Sequence, residues 1–293
     1  MPKKKQQYDV GQLFNFAHDS YLERTSRPIY AVIFLLPFIV FYELGTILIN
    51  TNILRQYWQG RVVAFAWLQN FLEYLGFSSK FTWVTTPLTV IVILLALQLA
   101  SHKSWRFWIG DMVPMALESI VLAIPLIVLG LFINSAAAPK NAAPAAPLAA
   151  AGQVQTVPLA PETHDNQAVK VLADSVTGIG AGIYEELVFR LVLICLLMML
   201  LQDFLGLSHG NAILLSVFIS AGLFSAYHHI DFFSGRLYRT TLFSPTEFIF
   251  RTLAGIYFAV LFAVRGFGIT AGTHIFYDIV ATVTNACFFS TGN

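Results

Sequence analysis

Apolar runs long enough to cross a bilayer recur along the chain, separated by short polar breaks. A helix needs about 20 residues, at ~1.5 Å each, to cross the ~30 Å hydrocarbon layer. Seven stretches approach or exceed that length: Ile29–Ile49, Thr82–Ala100, Val113–Ile133, Val171–Leu201, Asn211–His229, Glu247–Val264 and Ile269–Phe288. An eighth, Val62–Phe77, carries Gln69, Asn70 and Glu73. Lipid offers those side chains no partners, so this stretch is predicted to be an interfacial or re-entrant helix. The pattern predicts an all-α fold, a polytopic integral membrane bundle of about seven to eight transmembrane helices.

The polar breaks suggest an organisation. Residues 1–28 form a polar segment that opens Met1-Pro2-Lys3-Lys4-Lys5 and has no small-residue cleavage site, so it does not read as a signal peptide. With Arg24 and Arg27 beside the first span, it is expected on the cytoplasmic side, and seven spans would put the C-terminus opposite. Lys103 and Arg106 then fall inside, whereas Arg236 and Arg239 fall outside. Residues 135–168 contain Ala136-Ala137-Ala138-Pro139, Pro144 and Pro147 with almost no charge, and are predicted to be a disordered loop. They separate front helices (29–134) from a chemical back part (169–293) within one membrane domain.

Composition reinforces the membrane reading. The 293 residues are 57% hydrophobic and 11% charged, against about 45–50% and about 25% in soluble domains. A water-soluble globule is excluded, and the lipid bilayer is the first implied partner. Lys plus Arg is 17 and Asp plus Glu 16, a net charge of +1, which leaves no basic surplus for nucleic acid. Cys195 and Cys287 lie in apolar runs, where a thiol is a small hydrophobe, so no disulfide is expected. Oligomeric state leaves no mark on the sequence.

Chemistry concentrates in the back part. An ionised side chain at bilayer depth costs about 2.5–3.5 kcal/mol, so the three charges in Tyr184-Glu185-Glu186-Leu187-Val188-Phe189-Arg190 sum to roughly 7–10 kcal/mol, comparable with the stability of a whole domain. They must face protein or water. Glu186 and Arg190, four apart, can pair on one helix face. Glu185, about 100° further round, is aimed at something else. A carboxylate at depth beside an ion pair is a candidate general base, against a purely structural Glu–Arg lock. Phe224 and His228 are four apart at the end of the fifth run, and His274 and Asp278 four apart in the last. Glu43 and Glu118 have no Arg or Lys one turn away. Each is read as an acid hydrogen-bonded between helices or as a group lining the cavity. Glu247 and Arg251 are read only as a surface i,i+4 pair.

Taken together, Glu185-Glu186-x-x-x-Arg190, Phe224-x-x-x-His228 and His274-x-x-x-Asp278, in this order on successive late spans, resemble the three signature motifs of the CPBP intramembrane endopeptidases. That family includes CAAX-prenyl endopeptidases and bacterial members linked with bacteriocin processing or self-immunity. The resemblance covers about Val171–Phe288. It implies that Glu185 and His228 activate a water, that Glu186 and Arg190 are the supporting charge pair, that His274 and residue 278 stabilise the oxyanion, and that Phe224 packs against the site. Many members carry Asn where this chain has Asp278. An ionised Asp cannot donate to an oxyanion, so Asp278 is either protonated, orienting His274, or binding a metal.

His228, His274 and Glu185 or Asp278 could supply three ligands to a divalent metal such as zinc. The chain has no HExxH, which favours metal-independent activation by glutamate. The function expected is hydrolysis of a peptide bond in a membrane-associated protein or peptide, in a bacterial cell membrane. The alternatives are a proton- or ion-coupled transporter, for which the sequence shows no internal inverted repeat, and a catalytically silent scaffold or immunity-type member of the same fold. The three motifs do not fall at one depth unless the fourth span begins nearer Gly178, the fifth runs past Ile230, and the last helix starts before Gly268 or the sixth crosses incompletely.

Overall fold

A computed structural model describes residues 16–49, 62–78, 80–137, 167–228, 230–231, 236–237 and 245–289. Helix α1 is short, Tyr21–Thr25, capped by Ser20, whose hydroxyl accepts from Glu23 N. Then follow α2 (Pro28–Ile49), α3 (Val63–Tyr74), α4 (Thr82–Ser101) and α5 (Met112–Ala137). Helix α6 covers 167–204, with regular turns over Gln167–Glu186, a π-helical stretch at Leu187–Val192, regular turns at Leu193–Met198 and a second π stretch at Met199–Phe204. Helices α7 (His209–Tyr227), α8 (Pro245–Arg265) and α9 (Phe267–Thr284) complete the bundle. Two residue pairs, Ile230–Asp231 and Arg236–Leu237, form a minimal antiparallel ladder after α7.

Among the described residues six helices, α2 and α4 to α8, are long and apolar enough to cross a membrane. Their outward faces carry exposed Leu, Ile, Val and Phe, such as Leu44, Val92, Leu117 and Phe218. Helices that meet lipid on one side and protein on the other are apolar all round. The stretch expected as the last span, Ile269–Phe288, corresponds to α9, which is not among the six. Twelve of its 18 residues are buried. Packed in protein on most sides, it can carry Thr270, Thr273, His274 and Asp278 where a lipid-facing helix would need apolar side chains. Helix α3, at ~1.5 Å per residue about 18 Å long, is too short to span. Its end is tied to α4, where Gln69 donates to Thr82 Oγ1 at 3.0 Å.

Helix directions follow from pairs of contacts. On α9, Gly268 and Gly272 lie against Ala31 and Phe34 of α2, and also against Met115 and Ser119 of α5, so these three run parallel. On α6, Gly178 meets Asp278 and Gly182 meets Ile275, so α6 runs against α9. Ser220 of α7 bonds Phe189 and His209 faces Gln202, setting α7 against α6. Ser225 bonds Phe248, and Gly255 abuts Ala221, setting α8 against α7. Gln98, near the end of α4, accepts from Ile29 N at the start of α2. Helices α2, α4, α5, α6, α7, α8 and α9 therefore alternate in direction.

Small residues set the closest approaches. A Cβ at Gly182 would lie 2.8 Å from the backbone nitrogen of Ile275, and one at Gly178 would lie 2.5 Å from Cβ of Asp278. Glycines one turn apart let two helix backbones come together, as small-residue stripes do in membranes. Gly266 alone joins α8 to α9, with φ 78° and ψ −179°, a region essentially reserved for glycine.

The α1 segment is strapped to one end of the bundle. Arg265, at the end of α8, reaches Glu118 of α5 at 2.6 and 2.8 Å, Thr25 Oγ1 at 2.9 Å and the Leu22 carbonyl at 3.0 Å. Tyr21 donates to Glu118 at 2.7 Å. Glu118 is thus paired with a cation far away in sequence. Arg24 meets Asp111 at 3.1 Å, and Arg27 meets Glu23 at 2.5 Å.

The boundaries of the expected spans shift. Helix α6 begins by Gln167, before Gly178, and α7 ends at Tyr227 without passing Ile230, whereas α9 begins at Phe267, ahead of Gly268. Residues 138–166, most of the expected disordered loop, and 1–15 of the polar segment lie outside the described residues. Cys195 and Cys287 are free thiols.

Candidate active site

Four helices bring one polar cluster together. The α6 residues Glu185 and Glu186 close the regular part of that helix, and Arg190 sits in the π stretch that follows. A π turn, with its i→i+5 bonding, leaves backbone groups to be satisfied from outside. Ser220 of α7 does so, donating to the Phe189 carbonyl at 2.7 Å.

On one side of the site, Glu185 Oε1 lies 3.9 Å from His228 Nε2, and Tyr227 donates to the same oxygen at 3.4 Å. His228 caps the C-terminal end of α7. Its Nδ1 lies 2.9 Å from the Phe224 carbonyl. A carbonyl only accepts, so Nδ1 carries the hydrogen and, in the neutral ring, Nε2 is left as an acceptor toward Glu185. Tyr227 is packed edge-on by Trp67 of α3, with ring centroids 4.8 Å apart.

On the other side runs a chain of buried ionisable groups. Arg190 Nε is 3.1 Å from Glu186 Oε2, Glu186 Oε1 is 2.8 Å from His274 Nδ1, and His274 Nε2 is 3.5 Å from Asp278 Oδ2. Glu186 and Arg190 are completely buried, and His274 and Asp278 are 3% exposed. Arg190 also donates to the Gly255 carbonyl at 3.4 Å and lies over the ring of Phe224, 4.4 Å from its centroid. A cation over a desolvated ring gains about 2 kcal/mol, which offsets part of the cost of burying it. The His274 ring stacks on Phe258 of α8 at 4.5 Å and 18°. Phe224 stands between the two imidazoles, 5.0 Å from His228 and 6.4 Å from His274.

The structure thus places Glu185, Glu186, Arg190, Phe224, His228, His274 and Asp278 in one buried site. The three motifs meet despite their different positions in their helices because α6, at 38 residues, carries Glu185 near its middle. Glu43 is apart from this cluster, accepting from Tyr184 at 3.3 Å. Tyr227, Phe258 and Gly255 are further members that motif spacing did not show. Tyr227 is adjacent to His228 in the polar break Phe224–His229, the one signal that could have flagged it. Phe258 lies in an unbroken apolar helix and gives none.

The residues do not fit a metal. Among the described residues no three of His, Cys, Asp and Glu converge on a point that could hold an ion. The Nδ1 of His274 is engaged by Glu186, which leaves only its Nε2 edge facing the site.

Comparison with curated proteins and with solved structures gives no significant match. Residues 168–280, which hold every side chain of this cluster, match the family model described as Type II CAAX prenyl endopeptidase Rce1-like, in agreement with the resemblance of the three motifs to the CPBP/CAAX proteases.

Proposed function

We propose that this chain is an intramembrane endopeptidase that hydrolyses a peptide bond of a membrane-associated protein or peptide, with Glu185 and His228 activating the water. The observation that carries this reading is the position of Glu185. It is a buried carboxylate not engaged by Arg190, with an imidazole acceptor 3.9 Å away and a tyrosine hydroxyl at 3.4 Å. The gap is too long for a direct hydrogen bond, and a water beside both groups can bond to each.

The steps follow from those positions. Glu185 takes a proton as the water oxygen adds to the peptide carbonyl carbon, and His228 holds the second hydrogen of the water in line. The carbonyl π pair moves to oxygen, and the resulting oxyanion needs a donor. His274 is held by Glu186 through Nδ1, so its Nε2 edge is the one available, and its imidazolium form donates from there. Asp278, 3.5 Å from Nε2, orients that edge. Collapse of the intermediate breaks the C–N bond, and the leaving amine takes the proton from Glu185. The Arg190–Glu186 pair acts by fixing His274. The N-terminal arm is proposed to face the cytoplasm, and the membrane to be a bacterial cell membrane.

Purified protein in detergent, assayed against a peptide library, tests the mechanism. Glu185→Gln and His228→Ala are each expected to lower kcat/KM by about 10²–10⁴-fold with unfolding temperatures close to wild type. Cleavage that survives Glu185→Gln removes the proposed base. Phenanthroline is expected to leave activity intact. Complete inhibition reversed by added zinc would make the reaction metal-dependent.

A further inference from the structure

Arg251 is a buried cation that the mechanism above does not use. It is 5% exposed, on α8. Spacing sets its direction: Arg251, Gly255 and Phe258 stand at i, i+4 and i+7, one stripe of the helix. The upper two members of that stripe belong to the site, Gly255 accepting from Arg190 and Phe258 stacking on His274. Arg251 therefore continues the same face by one turn, toward the end of α7 where Ser225 bonds Phe248 and where His228 lies. Glu185 lies within its electrostatic reach.

Its guanidinium is half satisfied. Nη1 is 3.3 Å from Glu247 Oε2, and that carboxylate is itself 35% exposed, so its charge is shared with solvent. Nε is enclosed and makes no hydrogen bond. A buried donor left unmade is expensive, about 1–3 kcal/mol and more for a charged group. A cation kept in that condition one turn from a hydrolytic centre has the form of a subsite awaiting an anion. The planar fork of arginine matches a carboxylate.

Resting on the peptidase reading, we propose that Arg251 is a specificity-determining residue that binds a carboxylate of the substrate, so that cleavage is selective for peptides bearing an acidic group a short distance from the scissile bond. The carboxylate comes either from the peptide's C-terminus or from an Asp or Glu side chain.

The test uses the full-length protein in detergent and one internally quenched octapeptide library made in three forms: free C-terminal acid, C-terminal amide, and free acid with Asn and Gln replacing Asp and Glu. Wild type is expected to prefer a carboxylate-bearing form. A hydrogen bond to a charged group predicts a preference on the order of 10–100-fold in kcat/KM, expressed mainly in KM. Loss of the preference in the amide form assigns the C-terminal carboxylate, and loss in the Asn/Gln form assigns an acidic side chain. Arg251→Gln should collapse the ratio between forms, and Arg251→Lys should restore part of it. A purely structural role would lower all three forms together and leave the ratio unchanged, which overturns the proposal.

Binding of the same libraries to Glu185→Gln, which lacks the proposed base, separates the two readings. Acid-selective binding to Glu185→Gln that is lost on adding Arg251→Gln, together with a wild type that cleaves none of the three libraries, would sink the peptidase and keep the subsite. Cleavage indifferent to carboxylates would sink the subsite and keep the peptidase. Absence of both binding and cleavage overturns both.

Discussion

At the scale of single residues, the site is a row of alternating basic and acidic groups, Arg190, Glu186, His274 and Asp278, each link between 2.8 and 3.5 Å. Removing one end leaves the next charge without compensation, which costs about 3–5 kcal/mol when the pair is buried. Arg190→Met is accordingly expected to lower unfolding stability in detergent by about that amount, and Arg190→Met with Glu186→Gln to recover much of it. Equal destabilisation in the single and double variants would show that Arg190 acts through packing on Phe224 alone. Sequence spacing revealed the i,i+4 pairs because both partners ride one helix. It could not reveal the Glu186–His274 bond, which joins residues 88 apart, or the Glu118–Arg265 pair, which joins residues 147 apart. The Glu247–Arg251 pair was legible from its spacing, but the burial of Arg251 is a tertiary property that spacing cannot carry.

At the scale of helices, the glycines on α6 are what bring Glu186 within reach of His274. A side chain at 182 would press on the backbone of Ile275, and backbone cannot swing aside as a flexible side chain does. Gly182→Val is expected to push α9 away from α6, lowering stability by about 1–3 kcal/mol as overpacking does and lowering activity further than stability because His274 moves with the helix. Activity that tracks the folded fraction alone would refute that coupling. Helix existence was legible from apolar length, because the bilayer sets that length. Helix character was less so. Helix α9 looked like another span, yet lies mostly inside protein. Helix α6 departs from regular geometry after Glu186, and nothing in the run Leu187–Val192 announces a π stretch, since the bond that compensates it comes from Ser220 on another helix.

At the scale of the molecule, the α1 strap ties the ends of α5 and α8 together on one side. Within it Glu23 is subject to burial, which raises its pKa, but the Arg27 guanidinium outweighs this and holds the carboxyl below the ordinary glutamate value. A depressed folded pKa stabilises above the unfolded value and ceases to do so as pH falls through the folded one. The difference in unfolding temperature between wild type and Glu23→Gln should therefore be largest near neutrality and shrink as pH falls through the depressed pKa of Glu23, below the ordinary glutamate range. A difference independent of pH would mean that Glu23 acts through packing and not through charge.

The joint at Gly266 has a mechanical corollary. Since one residue is all that separates α8 from α9, the plate under the His274 imidazole and the imidazole itself are hung from a single pivot and cannot drift in register. Lengthening that pivot by one residue is expected to uncouple the register of the two helices and to loosen the stacking of Phe258 on His274.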